Sequence, residues 1–366
     1  MNANKEVFDV LVIGAGQAGL ASGWQLQQQG LKFLILEEQS QPGGNWRNYY
    51  DSLQLFSPAA YSSLPGLPFP AEPSHYPTRD EVVQYLDAYA ALFQLPIRQN
   101  TQVARVDRLG SGFQLSTTDG QQFQSKAVII ASGAFSRPYL PNITGLDSFC
   151  GTLLHSSQYQ NPQPFHGQRV IVIGAANSAV QIAHDLCDAA TVTLATRETI
   201  KFVPQRILGV DFHAWLKWTG LEKTRWLNDQ STPVLDDGTY KAALRADRFN
   251  QKPMFSQVTP TGIVWPNGVH EAVDTLIFAT GFRPNLGFLG DLPVVDDQGG
   301  VIQDDGRAML VPGLFFVGLP KQRNFASATL RGVGPDAAHL MPHLLDHLRS
   351  MQVELSPVLS HQASQA

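Results

Sequence analysis

The chain has 366 residues with a formal net charge of −5, and 43% of its residues are hydrophobic. This length suits two domains better than one, and the scattered basic residues exclude a nucleic-acid footprint. No apolar stretch reaches the ~18 residues of a membrane span, so neither nucleic acid nor a membrane is an expected partner. Cys150 and Cys187 form no CxxC pair, which argues against a dithiol redox centre. The expected location is the cytoplasm.

The opening segment predicts a strand, a glycine turn, a helix and a second strand. Strand Phe8–Ile13 leads into the turn Gly14–Gly19, a helix is predicted to about Gln29, and strand Lys32–Glu37 follows. Gly30 stands where a helix-ending glycine is typical. This order indicates a Rossmann-like unit.

The first turn carries the pattern Gly14-Ala-Gly16-Gln-Ala-Gly19. In such a turn the first glycine makes the bend, the second lets the backbone approach a diphosphate, and the third allows close helix–strand packing. Glu37, at the end of the next strand, is placed to accept hydrogen bonds from a ribose diol. An ordinary βαβ turn is the alternative, but the whole context favours a dinucleotide site.

The region after this unit predicts a long loop, a helix and a small antiparallel meander. The loop covers Gln41–Pro73, and loops of that length inside a domain are usually functional. Thr78 and Glu81 form a capping box at the start of the helix. The meander covers Thr101–Ala131, and the Pro-rich Phe135–Asp147 is a candidate interdomain linker.

A second strand, turn, helix and strand repeat the opening order, which is the main clue to domain organisation. They are predicted at Arg169–Ile173, Gly174–Ala179, a helix to about Asp188, and Thr191–Ala195. The repeat predicts a second nucleotide-binding unit, with a degenerate unit that binds nothing as the alternative.

The second turn, Gly174-Ala-Ala176-Asn-Ser-Ala179, departs from the glycine pattern because Ala176 carries a methyl group at the position of closest approach. Arg197 follows the next strand, where NADP enzymes use a cation to recognise the 2′-phosphate. Glu198 beside it would repel that phosphate and bind a ribose hydroxyl instead. Use of both NADPH and NADH is therefore the working hypothesis.

Residues Lys201–Phe255 form an aromatic-rich insertion that contains Trp215, Trp218 and Trp226. Packing in a core or domain interface and a wall of a substrate cavity are both open interpretations of these tryptophans. The remaining predicted elements are strands at Gly262–Trp265, Thr275–Ala279 and Leu314–Val317, a last helix to about Arg349, and a polar tail, expected to be disordered, over Ser356–Ala366.

Four histidines need an interpretation. A structural His155 bonded to backbone is favoured over an acid–base catalyst. His339, His343 and His347 have i, i+4, i+8 spacing on the last helix and imitate a metal site. Pro342 interrupts that pattern and no cysteine or acidic pair completes it, so no metal is expected.

Several short motifs together resemble those of bacterial flavin-containing monooxygenases. The segment Phe149-Cys-Gly151-Thr-Leu-Leu-His155-Ser-Ser-Gln-Tyr159 matches that family's FxGxxxHxxx-aromatic signature. The other matches are Gly43-Gly-Asn-Trp46, Ala131-Ser-Gly133, Asn177-Ser178, Ala279-Thr-Gly281-Phe-Arg-Pro284 and Phe325-Ala-Ser-Ala-Thr-Leu330, the last similar to small members associated with arsenic resistance. The chain departs from the family at Ala176 and at Leu319, where many flavoproteins carry an aspartate.

The resemblance implies an α/β fold with two Rossmann-like dinucleotide-binding domains, an FAD domain with an inserted NAD(P)H domain. It divides the chain into residues 1–148 and 284–355 for FAD, 149–283 for NAD(P)H together with the insertion, and the tail 356–366. No catalytic residue is identified, and the candidates for the flavin's immediate surroundings are Asn45, Trp46, Ser57 and Pro58.

The expected cofactor contacts follow from the same motifs. For FAD they are Gly14, Gly16, Gln17, Ala18, Gly19, Glu37, Gly44, Asn45, Trp46, Val103, Ala131, Gly133, Gly318 and Phe325. For NADPH, and NADH if it is also accepted, they are Tyr159, Gly174, Ala176, Asn177, Ser178, Arg197, Glu198, Ala279, Thr280 and Gly281.

By this resemblance NADPH reduces FAD, and O₂ then forms a C4a-(hydro)peroxyflavin that oxygenates a sulfide, an amine or a strained ketone. The N-terminal end of the last helix, near Ala326–Thr329 or Pro335, is expected to face the flavin pyrimidine. The alternatives are a flavin reductase or oxidase or an electron-transfer reductase without a stable oxygen adduct, a nucleotide-sensing protein, and an arsenical redox enzyme. A small-molecule substrate and O₂ are the expected partners, and a homodimer is common among such enzymes.

Overall fold

A computed structural model describes residues 6–224, 233–297 and 299–362. The fold is α/β and is organised around two sheets with parallel cores, as the sequence predicts. None of the helices in the described ranges is long and apolar enough to cross a membrane.

The first sheet has a parallel core in which the first strand lies between two later ones. Its strands, numbered in chain order, are β1 (Val7–Ile13), β2 (Phe33–Leu36), β3 (Ile97–Arg98), β4 (Val103–Leu109), β5 (Gly112–Thr117), β6 (Gln122–Ile130), β21 (Gln303–Asp304), β22 (Arg307–Ala308) and β23 (Leu314–Phe316). Strand β1 pairs in parallel with β2 and β6, and β23 pairs in parallel with β6. The segment β4–β5–β6 is the predicted antiparallel meander.

Strand β1 shows why this sheet forms. Val10 and Val12 pack into the core on one face, and Leu11 and Ile13 pack into the core on the other. Side chains alternate along a strand, so a continuous apolar run is what a strand covered on both faces requires.

The second sheet is wholly parallel, in the order β15-β10-β9-β19-β8. Its strands are β8 (Thr152–His155), β9 (Arg169–Ile173), β10 (Thr191–Thr196), β15 (Asn250–Pro253) and β19 (Thr275–Phe278). The edge strands β8 and β15 were not predicted from the sequence. Strand β15 reads Asn-Gln-Lys-Pro, which lacks the apolar signature of a strand and ends in a proline tolerated only at an edge.

The first three helices match the predictions, two helices of the insertion were not predicted, and the last helix is longer than predicted. They are α1 (Gln17–Gln28), α2 (Arg79–Leu92), α3 (Asn177–Leu186), α4 (Phe212–Thr219), α5 (Thr239–Arg245) and α6 (Leu330–Gln362). The capping box of Thr78 and Glu81 is present on α2, and Gly30 after α1 has the expected left-handed φ of +63°. The predicted end of α6 near Arg349 is wrong, because residues 350–355 contain neither glycine nor proline and the helix continues to Gln362.

Shorter elements connect the sheets and build the insertion. The strands are β7 (Arg137–Pro138), β11 (Phe202–Pro204), β12 (Arg206–Ile207), β13 (Val210–Asp211), β14 (Val234–Asp236), β16 (Gln257–Thr259), β17 (Gly262–Val264), β18 (His270–Ala272) and β20 (Phe282–Arg283). The 3₁₀ turns are Gly44–Asn48, Ala59–Tyr61, Leu146–Ser148, Gln163–Phe165, Leu221–Lys223 and Gly287–Leu289. Strand β7 pairs with β20. This pairing joins the segment that leads from the first sheet to the second with the segment that returns to the first sheet. The predicted insertion is shorter than Lys201–Phe255, because its end supplies β15 to the second sheet.

Candidate functional site

One cavity of about 1000 Å³ is lined by both glycine turns. The first turn follows β1 and the second follows β9, so the cavity lies at the carboxyl ends of the central strands of both sheets. In open α/β sheets this edge is where nucleotides bind.

Each of the three glycines of the first turn has its own geometric setting. Gly14 has a φ of +99°, and a Cβ there would lie 2.7 Å from the carbonyl oxygen of Ala131. A Cβ on Gly19 would lie 1.8 Å from the carbonyl oxygen of Gly14, so α1 packs on β1 only without a side chain. Gly16 lines the cavity, and the nearest atom to its ideal Cβ is the Gly44 Cα at 3.8 Å.

The start of α1 is uncapped and opens onto the cavity. Gly16 is the N-cap and no side chain caps it, while Gly16, Gln17 and Ala18 all line the cavity. The first N–H groups of a helix have no partner within the helix, and the helix dipole favours negative charge there. A diphosphate fits this end without help from a basic side chain.

Glu37 stabilises the backbone of the first glycine turn. Its side chain is only 3% exposed, and its two carboxylate oxygens accept hydrogen bonds from the backbone N–H groups of Ala15 (2.5 Å) and Gln39 (2.9 Å). Burial raises the pKa of Glu37, while these two hydrogen bonds oppose the shift. Glu37 also lines the cavity.

A hydrogen-bonded chain joins three cavity walls. The Trp46 indole N–H donates to Gln17 Oε1 (3.2 Å), and Gln17 Nε2 donates to the carbonyl oxygen of Ala328 (2.6 Å). Ala328 has a left-handed φ of +69°, and Thr329 and Leu330 beside it line the cavity where α6 begins. The start of α6 therefore faces the cavity at Ala328 and Thr329 of the predicted range, whereas the alternative position, Pro335, does not line the cavity.

The second turn is built like the first but is less open at its centre. Gly174 has a φ of +147°, and a Cβ there would lie 2.4 Å from the carbonyl oxygen of Ala279. Ala176 is the N-cap of α3 and no side chain caps it. Its methyl group occupies the place that Gly16 leaves free in the first turn, while Asn177 and Ser178 also line the cavity.

Two cations and one carboxylate line the cavity beyond the end of β10. Arg197, Glu198 and Lys201 are all exposed there. Within the described ranges, no ion pair is formed by any of the three. Lys201 was missed in the sequence, although it lies only four positions after Arg197. An anionic group placed here would meet two unneutralised cations.

The long loop after β2 also contributes a wall that the sequence did not identify residue by residue. The Tyr50 hydroxyl donates to Gln181 Oε1 of α3 (2.6 Å), and burial raises the pKa of Tyr50. Gln181 Nε2 in turn donates to the carbonyl oxygen of Gln54 (3.4 Å). No periodic pattern marks Tyr50 or Gln54 in the sequence, so only the fold reveals that they join the two glycine-turn units.

Most of the predicted contacts line this cavity. From the FAD set they are Gly14, Gly16, Gln17, Ala18, Glu37, Gly44, Asn45, Trp46, Ser57, Val103, Ala131, Gly133 and Gly318; from the NAD(P)H set they are Gly174, Ala176, Asn177, Ser178, Arg197, Glu198, Ala279, Thr280 and Gly281.

Four predicted residues do not line the cavity. Gly19 packs against the backbone of Gly14, and Pro58 is buried at the start of a 3₁₀ turn. Tyr159 is fully buried, and its hydroxyl donates to Asp185 (2.6 Å). Phe325 is half-buried, and its backbone N–H donates to the carbonyl oxygen of Glu222. Their sequence motifs therefore mark packing rather than cavity walls.

The remaining candidates have structural contacts. His155 Nε2 donates to the carbonyl oxygen of Gly281 (3.0 Å), and burial lowers the pKa of His155. His347 contacts the carbonyl oxygen of Lys126, and His339 lies beside Asp305. Within the described residues, no cluster of three or more histidine, cysteine or acidic side chains is arranged to hold a metal.

The described tryptophans of the insertion and both cysteines lie away from the cavity. Trp215 and Trp218 do not line it, so the cavity-wall interpretation is wrong for these two, and Trp226 is outside the described residues. Cys150 is exposed and Cys187 is half-buried, and neither lines the cavity.

Comparison with known proteins agrees with this geometry. A family model described as pyridine nucleotide-disulphide oxidoreductase matches residues 11–318. An uncharacterized CzcO-like oxidoreductase of Geobacillus kaustophilus is 35% identical over 94% of this chain and 100% of its own. Indole-3-pyruvate monooxygenase YUCCA4 of Oryza sativa is 28% identical over 96% of this chain and 90% of its own. The solved flavin-containing monooxygenase of Stenotrophomonas maltophilia has a TM-score of 0.83 and 36% identity, covering 93% of this chain and 99% of that one.

The family model covers most of the chain, and the bacterial relatives match it nearly end to end at more than a third identity. Together with the two glycine turns on one cavity, these matches confirm the resemblance drawn from the short motifs. The chain is an oxidoreductase of the pyridine nucleotide-disulphide oxidoreductase family and belongs to its bacterial flavin-containing monooxygenases.

Proposed function

We propose that the protein is an NAD(P)H-dependent monooxygenase that binds FAD at the first glycine turn and the nicotinamide nucleotide at the second. The observation that carries the proposal is the single cavity shared by both turns. Two nucleotides bound on facing turns can bring a nicotinamide and a flavin together, which hydride transfer requires.

The first turn fits FAD. Gly16 leaves space where a diphosphate would approach, the uncapped start of α1 supplies free N–H groups, and Glu37 faces the expected ribose. Trp46 and Asn45 form the neighbouring wall, which suits the flavin end of the same molecule. Residues 1–148 and 284–355 would hold this cofactor.

The second turn fits a nicotinamide nucleotide that exchanges. Ala176 restricts the approach of a diphosphate, and Arg197 with Lys201 offers positive charge to a 2′-phosphate. Glu198 offers an acceptor to the free ribose hydroxyl of NADH instead. We therefore propose that NADPH is the main reductant and that NADH is accepted more weakly.

When bound, the flavin would accept hydride from the nicotinamide and activate O₂. The protein's own residues hold and orient the partners. The chain from Trp46 through Gln17 to Ala328 fixes the flavin-side wall, and the start of α6 directs its positive dipole end into the cavity. The apolar walls of Leu53, Leu55 and Phe56 exclude water, which favours oxygen transfer over loss of peroxide.

The cavity wall supports a small, largely uncharged substrate. Leu53, Leu55, Phe56 and Tyr50 are aromatic or aliphatic, and the polar groups among them are amides and hydroxyls. We propose a soft nucleophile such as a sulfide or an amine, or a strained ketone. A dithiol reductase is disfavoured, because neither cysteine lines the cavity.

The test is rapid mixing of anaerobically NADPH-reduced protein with oxygenated buffer while the flavin spectrum is recorded. The proposal predicts a transient spectrum, distinct from both reduced and oxidised flavin, that a sulfide substrate shortens. Direct return to oxidised flavin with one peroxide per flavin would instead show a reductase or oxidase. Free FAD reduced chemically is the control for reaction in solution.

A further inference from the structure

The β12–β13 hairpin of the insertion has an unusual residue in its turn. The strands Arg206–Ile207 and Val210–Asp211 are joined by Leu208 and Gly209, whose φ angles are +52° and +76°. Two consecutive left-handed residues make a type I′ turn, which favours Asn or Gly at both positions. A leucine in that conformation is strained and has no local reason to be there.

The same leucine is almost fully exposed and has apolar neighbours. Leu208 is 90% exposed, Trp218 of α4 is 66% exposed, Leu221 is 41% exposed and Ile207 is 38% exposed. The Trp215 indole N–H donates to the carbonyl oxygen of Ile207, and Trp215 packs edge-on against Trp218. Helix and hairpin thus form one surface, which we call the hairpin–helix surface: Ile207, Leu208, Trp218 and Leu221.

The surface is positively charged at its border. Arg206 and Lys217, each next to one of its residues in sequence, are exposed. The acids of the same stretch are turned inward: Asp211 accepts hydrogen bonds from Tyr76 and His213, and Glu222 pairs with Arg331. The exposed apolar side chains are therefore accompanied by two exposed cations, of which Lys217 also lies over the Tyr61 ring (5.9 Å), while both acids are engaged with the protein body.

The surface is held firmly in place. His213 of α4 is 2% exposed and stacks on the rings of Phe56 and Tyr61. Gln205, just before the hairpin, donates to the carbonyl oxygen of Phe56, which is itself a wall of the cavity. Leu208 is therefore strained and exposed, and it stands on a well-packed support. This combination indicates that Leu208 contacts a binding partner and that the contact offsets the free-energy cost of its backbone strain.

We infer that the hairpin–helix surface binds peripherally to an anionic lipid bilayer. Leu208 and Trp218 enter the headgroup boundary, and Arg206 and Lys217 contact lipid phosphates. Aliphatic and indole side chains with a basic border are the composition of interfacial membrane contacts. A twofold contact between two copies of this surface would bring like charges together, which disfavours self-association. A peripheral contact of this kind needs no membrane-spanning segment.

The test is co-sedimentation of the full FAD-loaded chain with vesicles of phosphatidylcholine alone or with added phosphatidylserine. We expect binding to the anionic vesicles that weakens at high salt. Leu208→Asn removes the apolar tip while giving the turn a residue it favours, so it should bind at least tenfold more weakly without loss of thermal stability. Leu92→Gln, at a leucine of α2 that is 60% exposed and lies outside the hairpin–helix surface, is the control and should bind as the wild type does.

A double variant separates the contribution of charge to vesicle binding from that of the apolar side chains. Arg206→Gln with Lys217→Gln should weaken binding to anionic vesicles about tenfold and remove most of its salt dependence. Three results would overturn the inference: no vesicle binding by the wild type, equal losses in Leu208→Asn and Leu92→Gln, or a dimer in sedimentation velocity that Leu208→Asn converts to a monomer.

Discussion

The two glycine turns have the same strand–turn–helix arrangement but differ in the space left at the second position of the turn. In the first, Gly16 leaves the centre of the turn open, and buried Glu37 binds the turn's own backbone. In the second, Ala176 narrows the centre, and the residues after the next strand, Arg197 and Glu198, are exposed at the cavity edge. The difference suits a resident cofactor at the first turn and an exchanging one at the second.

The third position of each turn should show the largest difference. Gly19→Ala places a Cβ 1.8 Å from a backbone oxygen that cannot move aside, so we expect a loss of about 3 kcal/mol or more in the free energy of unfolding. The corresponding change in the second turn, Ala179→Gly, should cost about 1 kcal/mol, from helix propensity. Urea unfolding of both variants checks this, and equal losses would contradict the packing difference.

The second position should affect binding rather than folding. Gly16→Ala adds a Cβ that meets only ordinary contacts in the fold but enters the space of the diphosphate, so FAD affinity should fall roughly tenfold or more. Ala176→Gly should raise NADPH affinity several-fold. Calorimetric titration measures both, with unfolding curves as the control. Unchanged FAD affinity in Gly16→Ala would place the diphosphate elsewhere.

The charged edge of the second turn should set the choice of nucleotide. Arg197→Ala should weaken NADPH binding roughly tenfold and leave NADH within about twofold, because only NADPH has the 2′-phosphate. Glu198→Ala should act in the opposite direction, favouring NADPH. Lys201→Ala tests whether the second cation contributes. Equal loss for both nucleotides in Arg197→Ala would show that the arginine does not recognise the phosphate.

The smallest effect should come from His155, which ties β8 to the turn after β19 through the carbonyl oxygen of Gly281. Burial lowers the pKa of His155, so the folded state favours the neutral ring. The contribution of His155 to the free energy of unfolding is therefore fully present above the ordinary histidine pKa and is lost as the pH falls below it. Wild-type stability should decline more steeply than that of His155→Gln as the pH is lowered through 6.5. Parallel curves would rule this out.

Sequence reasoning succeeded where local chemistry dictates structure. The first turn, the capping box at Thr78 and the left-handed Gly30 each follow from one residue type in one backbone setting. It failed where tertiary contacts decide. Strand β15 forms because an existing sheet edge accepts it, and Tyr50 meets Gln181 only after both sheets are in place.

One predicted site residue and one that was missed show the same limit. Tyr159 belongs to a motif that looks like a ligand contact, but its ring is buried in the core beside Tyr50. Lys201 joins the cavity edge although nothing in its immediate sequence marks it. The family resemblance supplied the cofactor expectations, and the fold showed which residues share one cavity.

The most direct test of the shared cavity is anaerobic mixing of the FAD-loaded protein with NADPH, following flavin absorbance. The account predicts bleaching at a rate that saturates with NADPH, with half-saturation shifted upward in Arg197→Ala and a slower approach to saturation with NADH. Bound FAD that stays oxidised at saturating NADPH would contradict the claim that the two glycine turns bring both cofactors together.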